Sequence, residues 1–326
     1  MPHYMKFLYT LASLIVIAAC SNPSNTQDKT EKPLQIHKLN IGLLPSLDSF
    51  PYIVAQEEGF FEEEGLQIEL TTFQSAMERD TAFQVGKIDG MASSDLITIC
   101  LMRNAGIKAK AIRLGSGEKA GDGHIGIVVS PNSNIGTLDD LKGKAIAISP
   151  NTIIDYTTDK LLAANGFEPT NIQKSTVAKI AIRLAMLIEN KISAGTFPEP
   201  YISLAILKGA KLLVSDKPYA FAQCVACFEE SILEDRPLAL QKLVRALNKA
   251  ANQINTHPIE YSKKQIKYLG MALELEHSYV MPRYSVNAVP TKKQFNDVLE
   301  WLQDKKLLDI PLSYKDVITD EFLDNG

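Results

Sequence analysis

A chain of 326 residues with a formal net charge of -4, 22% charged and 45% hydrophobic residues has the composition of a folded globular protein. Its basic residues form no cluster, so it offers no track along a phosphate backbone and nucleic acid is not expected as a partner. Four cysteines are too few for a fold that depends on disulfides, so a packed core must hold it together.

At the N-terminus, Lys6 precedes an uncharged apolar run from Phe7 to Ala19 that ends in Ile17-Ala18-Ala19-Cys20. The run is too short to cross a bilayer comfortably. A basic start, a short apolar stretch and small residues before a cut read as a secretory signal over 1–19, and the cysteine that follows resembles a lipobox, making Cys20 the expected lipidation site. An ordinary signal peptide with a chance cysteine is the alternative. Residues 20–35 are nearly all polar and are expected to form a flexible tether to the membrane. The remainder exceeds the usual size of one compact core, which points to two lobes.

Along the body, the apolar run Leu39 to Leu44 reads as a buried strand. Pro51 suits the first turn of a helix, with Ser49 as its cap and Gly59 as its stop. Strand-like Leu66 to Thr72 follows, and then Ser75-Ala76-Met77-Glu78 has capping-box spacing for a helix closed by Gly86. A short strand at Ile88 to Ala92 precedes Ser93-Ser94-Asp95 and another helix. Strands are expected near Lys110 to Leu114, His124 to Ser130 and Lys144 to Ser149; Thr137 to Asp140 caps a short helix between the last two, and Asn151-Thr152 starts one toward Asn165. The alternation argues for mostly parallel sheets with helices on both faces. Beyond Pro237 the pattern turns helical, over Leu238 to Ile254, Pro258 to Leu269 and Thr291 to Lys305.

Two stretches resemble signatures of bacterial solute-binding proteins: Tyr52-Ile53-Val54-Ala55-Gln56-Glu57-Glu58-Gly59-Phe60-Phe61-Glu62-Glu63-Glu64-Gly65-Leu66 and Gly136-Thr137-Leu138-Asp139-Asp140-Leu141-Lys142-Gly143-Lys144. The branch they resemble serves importers of nitrate, taurine, aliphatic sulfonates and thiamine-pyrimidine precursors. That resemblance implies an α/β, type II periplasmic-binding-protein fold, with two lobes, each a mostly parallel sheet flanked by helices, joined by a two-segment hinge. Lobe 1 is placed at 36–125 plus 221–326 and lobe 2 at 126–220. The resemblance also implies an exported, lipid-anchored, monomeric binding component that works with the permease and ATPase of an ABC importer and is not an enzyme.

In open α/β sheets ligands collect beyond the carboxyl ends of strands, where helix N-termini present free backbone donors. Loops of that form nominate Ser49, Phe50 and Tyr52, then Ser93 and Ser94, then Thr152, Asp155 and Tyr156, and finally Phe197 and Glu199. Each hydroxyl or acid is equally suited to capping its own helix, and each aromatic to the core. The loops carry acids and aromatics but no Arg or Lys, which favours a thiamine-pyrimidine-like heteroaromatic amine; a small anion such as a sulfonate, taurine or nitrate, met by backbone donors or by Arg79 or Arg103, is the alternative. No cofactor is expected, and the scattered histidines lack metal-ligand spacing. Cys224 and Cys227 read either as two buried thiols or as a regulatory disulfide. Cys224-Val225-Ala226-Cys227-Phe228 faintly resembles the cysteine-rich segment of fungal thiamine-pyrimidine synthases, which keeps an enzyme as the rival class.

Overall fold

The computed structural model describes residues 36–168, 173–219, 221–279 and 281–324. The leader expected over 1–19, Cys20 and the tether expected over 20–35 lie outside the described residues.

Two five-stranded mixed sheets carry the fold. The first contains β1 (His37–Leu43), β2 (Leu66–Thr72), β3 (Gly90–Asp95), β4 (Ala109–Ser116) and β10 (Cys224–Glu229), in the order β2-β1-β3-β10-β4. The second contains β5 (Ile125–Val129), β6 (Ala145–Ile148), β7 (Gln173–Thr176), β8 (Ala194–Pro198) and β9 (Lys211–Ser215), in the order β7-β6-β8-β5-β9. In each sheet one strand runs against the others. β10 is antiparallel to β3 and β4, and β5 is antiparallel to β8 and β9. These are the strands by which the chain enters each sheet after crossing from the other.

The crossings are residues 117–124 and 216–223, and they lie side by side. Gly121 N–H donates to Lys217 O at 2.8 Å, Asp216 N–H to Ile125 O at 2.9 Å, and Ile125 N–H to the Asp216 carboxylate at 2.8 Å. A Cβ at Gly117 would stand 1.7 Å from Ala222 O, and one at Gly123 would stand 2.3 Å from Asp216 O. Gly117 also has φ +80, a left-handed conformation that glycine adopts at little cost. Backbone lies on backbone here, which requires residues without side chains.

Helices α1 (Phe50–Glu57), α2 (Phe60–Glu63), α3 (Ala76–Gln84) and α4 (Leu96–Asn104) follow strands of the first sheet. The second sheet is covered by α5 (Ile153–Ala164), α6 (Ile180–Ile188) and α7 (Tyr201–Leu207). The chain then returns through α8 (Glu230–Asp235), α9 (Pro237–Thr256), α10 (Pro258–Tyr268), α11 (Lys292–Asp304) and α12 (Tyr314–Val317). α9 buries Leu240, Leu243, Val244, Leu247 and Ile254 against α1, α2 and the β1–β2 pair. Each such side chain contributes about 1.5–3 kcal/mol by leaving water, so the C-terminal helices are integral to the first lobe's core.

Local signals fixed most boundaries, and β2 spans Leu66–Thr72 as the apolar alternation requires. Three caps differ from expectation. Ser49 makes no cap bond, because a 3-10 turn over Leu47–Ser49 places it inside the helical path. Ser75 accepts from Glu78 N–H at 3.3 Å, but the Glu78 carboxylate accepts from Gln74 N–H, so the expected reciprocal box is half formed. Between β5 and β6, Asp140 rather than Thr137 gathers the free donors, accepting from Gly136 N–H, Thr137 N–H and Thr137 Oγ1.

Candidate functional site

A cavity of about 60 Å³ lies between the two sheets. From the first lobe it is lined by the loop after β1 (Pro45, Ser46, Asp48), the start of α3 (Ser75, Ala76, Arg79) and the end of β3 (Ser93, Asp95); from the second by Ser149, Thr152 and Ile153 before α5. His124 and Cys224, at the two crossings, form its floor. The cavity shares Ala76, Ser149, Thr152 and Ala178 with an outer groove of about 400 Å³ that adds Met77, Leu101 and Met102.

The hydroxyls of Ser46, Ser49 and Ser93 form a connected cluster: Ser93 Oγ lies 3.1 Å from Ser46 Oγ and 2.8 Å from Ser49 Oγ, while Leu44 N–H donates to Ser49 Oγ. Ser93 has φ +53, a strained value for a residue with a side chain. That conformation turns its carbonyl onto Arg79, whose Nη1 donates to it at 2.6 Å. The fully buried Arg79 also pairs with Asp80 through Nε and Nη2, so its guanidinium is held rigidly beside the cavity.

Asp95 joins the lobes. Its Oδ1 accepts from Thr98 N–H at 2.7 Å to cap α4, and its Oδ2 accepts from Ile153 N–H at 3.3 Å at the start of α5 in the second lobe. Burial raises the Asp95 carboxyl above its ordinary range, against the lowering effect of the Thr98 N–H and the Arg79 charge. Further contacts cross between lobes, among them Tyr201 Oη donating to Pro45 O at 2.9 Å and Lys179 pairing with Glu78 at 2.9 Å.

On the floor, Ser116 Oγ donates to Asp48 Oδ1 at 2.5 Å, and His124 Nε2 lies 3.7 Å from Asp48 Oδ2. Burial alone would raise Asp48, but the imidazolium, Ser116 and Cys224 outweigh it and hold the carboxyl below its usual range. Burial pulls His124 down, yet the charges of Asp48 and Asp216 raise it to about 9. Burial, reinforced by Asp48, pushes the Cys224 thiol well up, so Cys224 is protonated and no activated nucleophile.

Of the residues nominated from sequence, Ser93 and Thr152 line the cavity and Ser49 supports Ser93. Thr152 Oγ1 accepts from Ile154 N–H, so it caps α5 as well. Phe50, Tyr52, Tyr156 and Phe197 are 1%, 3%, 1% and 0% exposed and pack in the core. Ser94 is fully buried within β3, its hydroxyl without a hydrogen-bond partner among the described residues. Asp155 is held by Lys174 and Lys305, and Glu199 accepts from Ser203 N–H at 3.1 Å; neither carboxylate lines the cavity. Arg79 does, whereas Arg103 pairs with Glu230 at 3.1 Å. Sequence reasoning missed Asp48, Asp95, His124, Ser149 and Cys224. Asp95 follows the nominated serines and had a signal, a cap at a strand end; the others are assembled by the crossings from distant positions.

Cys224 and Cys227 are buried free thiols. They point to opposite faces of β10, Cys224 to the cavity and Cys227 into the apolar cluster with Met91 and Cys100.

A Bacillus subtilis protein provisionally named as binding aliphatic sulfonates is 26% identical over 249 residues, covering 74% of this chain and 71% of its own. The alkanesulfonate-binding protein SsuA from Xanthomonas axonopodis pv. citri, solved with MOPS, superposes with TM-score 0.75 at 18% identity over 86% of this chain and 98% of that one. The nitrate-binding protein NrtA from Synechocystis PCC 6803 gives 0.72 at 16% identity over 88% and 87%. The architecture is therefore a periplasmic-binding-protein fold. Residues 46–261 match the family described as NMT1/THI5 like, and the chain belongs to that family.

Proposed function

We propose that this protein is the solute-binding component of an ABC importer and that it takes a small organic anion, an aliphatic sulfonate, between its lobes. The observation that carries this reading is the shape and lining of the cavity. About 60 Å³ bounded by Arg79, the Ser46–Ser93 hydroxyls and the starts of α3 and α5 suits a compact anionic head, because the hydroxyls and the positive dipole ends of two helices face it, while the Asp48 and Asp95 carboxylates in the same lining are engaged by Ser116 and His124 and by the Thr98 and Ile153 N–H groups. The adjoining groove, with Met77, Leu101 and Met102, suits an alkyl tail. The B. subtilis relative's name favours the same class.

A heteroaromatic amine fits less well. The acids that favoured it, Asp155 and Glu199, are engaged elsewhere, and the aromatics are core residues. In this reading lobe 1 is 36–125 with 221–326, lobe 2 is 126–220, and the paired crossings act as the hinge. Export by the leader and a lipid on Cys20 would tether a monomer beside its permease and ATPase. A thermal-shift panel tests the ligand class: alkanesulfonates should raise Tm, more so with a short alkyl tail, and aminopyrimidines should not. Stabilisation by aminopyrimidines with none by sulfonates, taurine or nitrate would overturn it.

A further inference from the structure

We propose that Asp48, His124 and Cys224 form a three-ligand site for a divalent transition metal of the zinc type, with the remaining coordination position open to the cavity. The three side chains come from the loop after β1, the first crossing and the start of β10, and one donor atom of each lies within 4.8 Å of the other two. All three are buried. The Asp48 Oδ2 to His124 Nε2 separation of 3.7 Å needs to contract by only a few tenths of an ångström to reach that of an oxygen and a nitrogen on one tetrahedral ion, about 3.3–3.6 Å for metal–ligand bonds of about 2.0–2.2 Å.

The surroundings of each donor point the same way. His124 Nδ1 lies 3.3 Å from Asp122 O; a carbonyl can only accept, so Nδ1 keeps its proton, and the Nε2 proton of the imidazolium is the one a metal would displace, leaving an Nε2 lone pair directed at Asp48 and Cys224. Metal-bound histidines are oriented by such a backbone partner. Nε2 itself is buried without a hydrogen-bond partner among the described residues. Ser116 fixes the other Asp48 oxygen at 2.5 Å, leaving Oδ2 free to coordinate. Asp216 and Asp95 add negative charge beside His124 and Cys224, which a dication would offset.

An N, O, S donor set with one thiolate selects zinc-like ions over magnesium or calcium, which prefer all-oxygen shells. Binding releases two protons to solvent, that of the Cys224 thiol and that of the His124 Nε2, since the imidazolium paired with Asp48 must become neutral to ligate. All three ligands line the cavity, so its fourth position is available to water or to an oxygen of the bound solute; only this last role rests on the anion reading.

Cobalt(II) titrated into the full, metal-stripped chain is the direct probe. One equivalent should bind, giving strong tetrahedral d–d absorption and a thiolate-to-cobalt band in the near ultraviolet. Cys224→Ser should lose the thiolate band, Cys227→Ser should keep it, and His124→Ala should weaken binding at least tenfold. Unfolding midpoints of the metal-free variants, close to that of the parent, would separate ligand loss from misfolding. No saturable cobalt binding, or a thiolate band that survives Cys224→Ser, would overturn the site. Cobalt binding as described in a chain whose Tm sulfonates do not raise would refute the anion reading alone, and sulfonate binding without cobalt binding would refute the metal site alone.

Discussion

The indole N–H of Trp301, on α11, donates to Asp159 Oδ2, on α5, at 2.9 Å, so a helix of the C-terminal section is bonded to the second lobe. Lys305 and Lys174 pair with the same carboxylate at 2.8 and 2.5 Å, and Tyr156 packs edge-on to the indole at 5.5 Å. Asp159→Asn leaves two ammonium groups short of a partner and should lower stability by about 1–3 kcal/mol, read as a fall in Tm.

That loss should depend on pH in one direction. Burial would raise Asp159, but Lys174, Lys305 and Trp301 outweigh it and hold the carboxyl below its ordinary range. A carboxyl whose folded pKa is depressed stabilises the fold above its unfolded value, about 3.9, and loses that contribution as pH falls through the folded value. The Tm gap between parent and Asp159→Asn should therefore be constant from pH 5 to 8 and shrink below pH 4. A gap that widened in acid would show the pair does not act as described.

Trp301 is the sole tryptophan and is 7% exposed at this junction, so its emission reports on contact between lobes. Solute that draws the lobes together should shift emission to the blue, and Asp159→Asn should shift it to the red without solute. Emission unchanged by both would place Trp301 outside the moving contact.

Ser93 separates hydroxyl chemistry from backbone strain. Ser93→Gly relieves the positive φ but removes the hydroxyl that links Ser46 and Ser49; it should leave the unfolding free energy within about 1 kcal/mol of the parent while weakening solute binding at least tenfold. Ser93→Val, a β-branched residue forced to φ > 0, should destabilise by about 1–3 kcal/mol. Undiminished solute affinity in Ser93→Gly would remove the hydroxyl cluster from the site.

At the crossings, Gly117→Ala must move the facing crossing segment, since the added Cβ would meet Ala222 O at 1.7 Å. A loss of about 2 kcal/mol or more is expected in chemical denaturation. A neutral result would show that the crossings have slack.

Much of the fold was legible because local chemistry sets it. The alternation in Leu66 to Thr72, the Ser75 cap, and the Pro258 and Thr291 helix starts all appear where sequence places them. The site was legible only where it reuses those caps, as at Ser93 and Thr152. Ser49 looked like a cap because Pro51 follows it, but the 3-10 turn before α1 diverted its hydroxyl to Leu44 and Ser93. Asp155 and Glu199 looked available because sequence does not show Lys174 and Lys305 arriving across space or the Ser203 N–H one helical turn on. Asp48, His124 and Cys224 share no spacing; only the side-by-side crossings bring a loop, the end of a crossing and a returning strand to one floor.

The function proposed for the cavity requires an anionic solute held between the lobes. Native mass spectrometry of the protein purified from its own host, without added ligand, tests it most directly. One adduct per chain with the mass of a small sulfonate is expected, released when the chain is denatured and taken up again on refolding. An aminopyrimidine in that adduct, or a refolded chain that takes up no sulfonate at all, would contradict it.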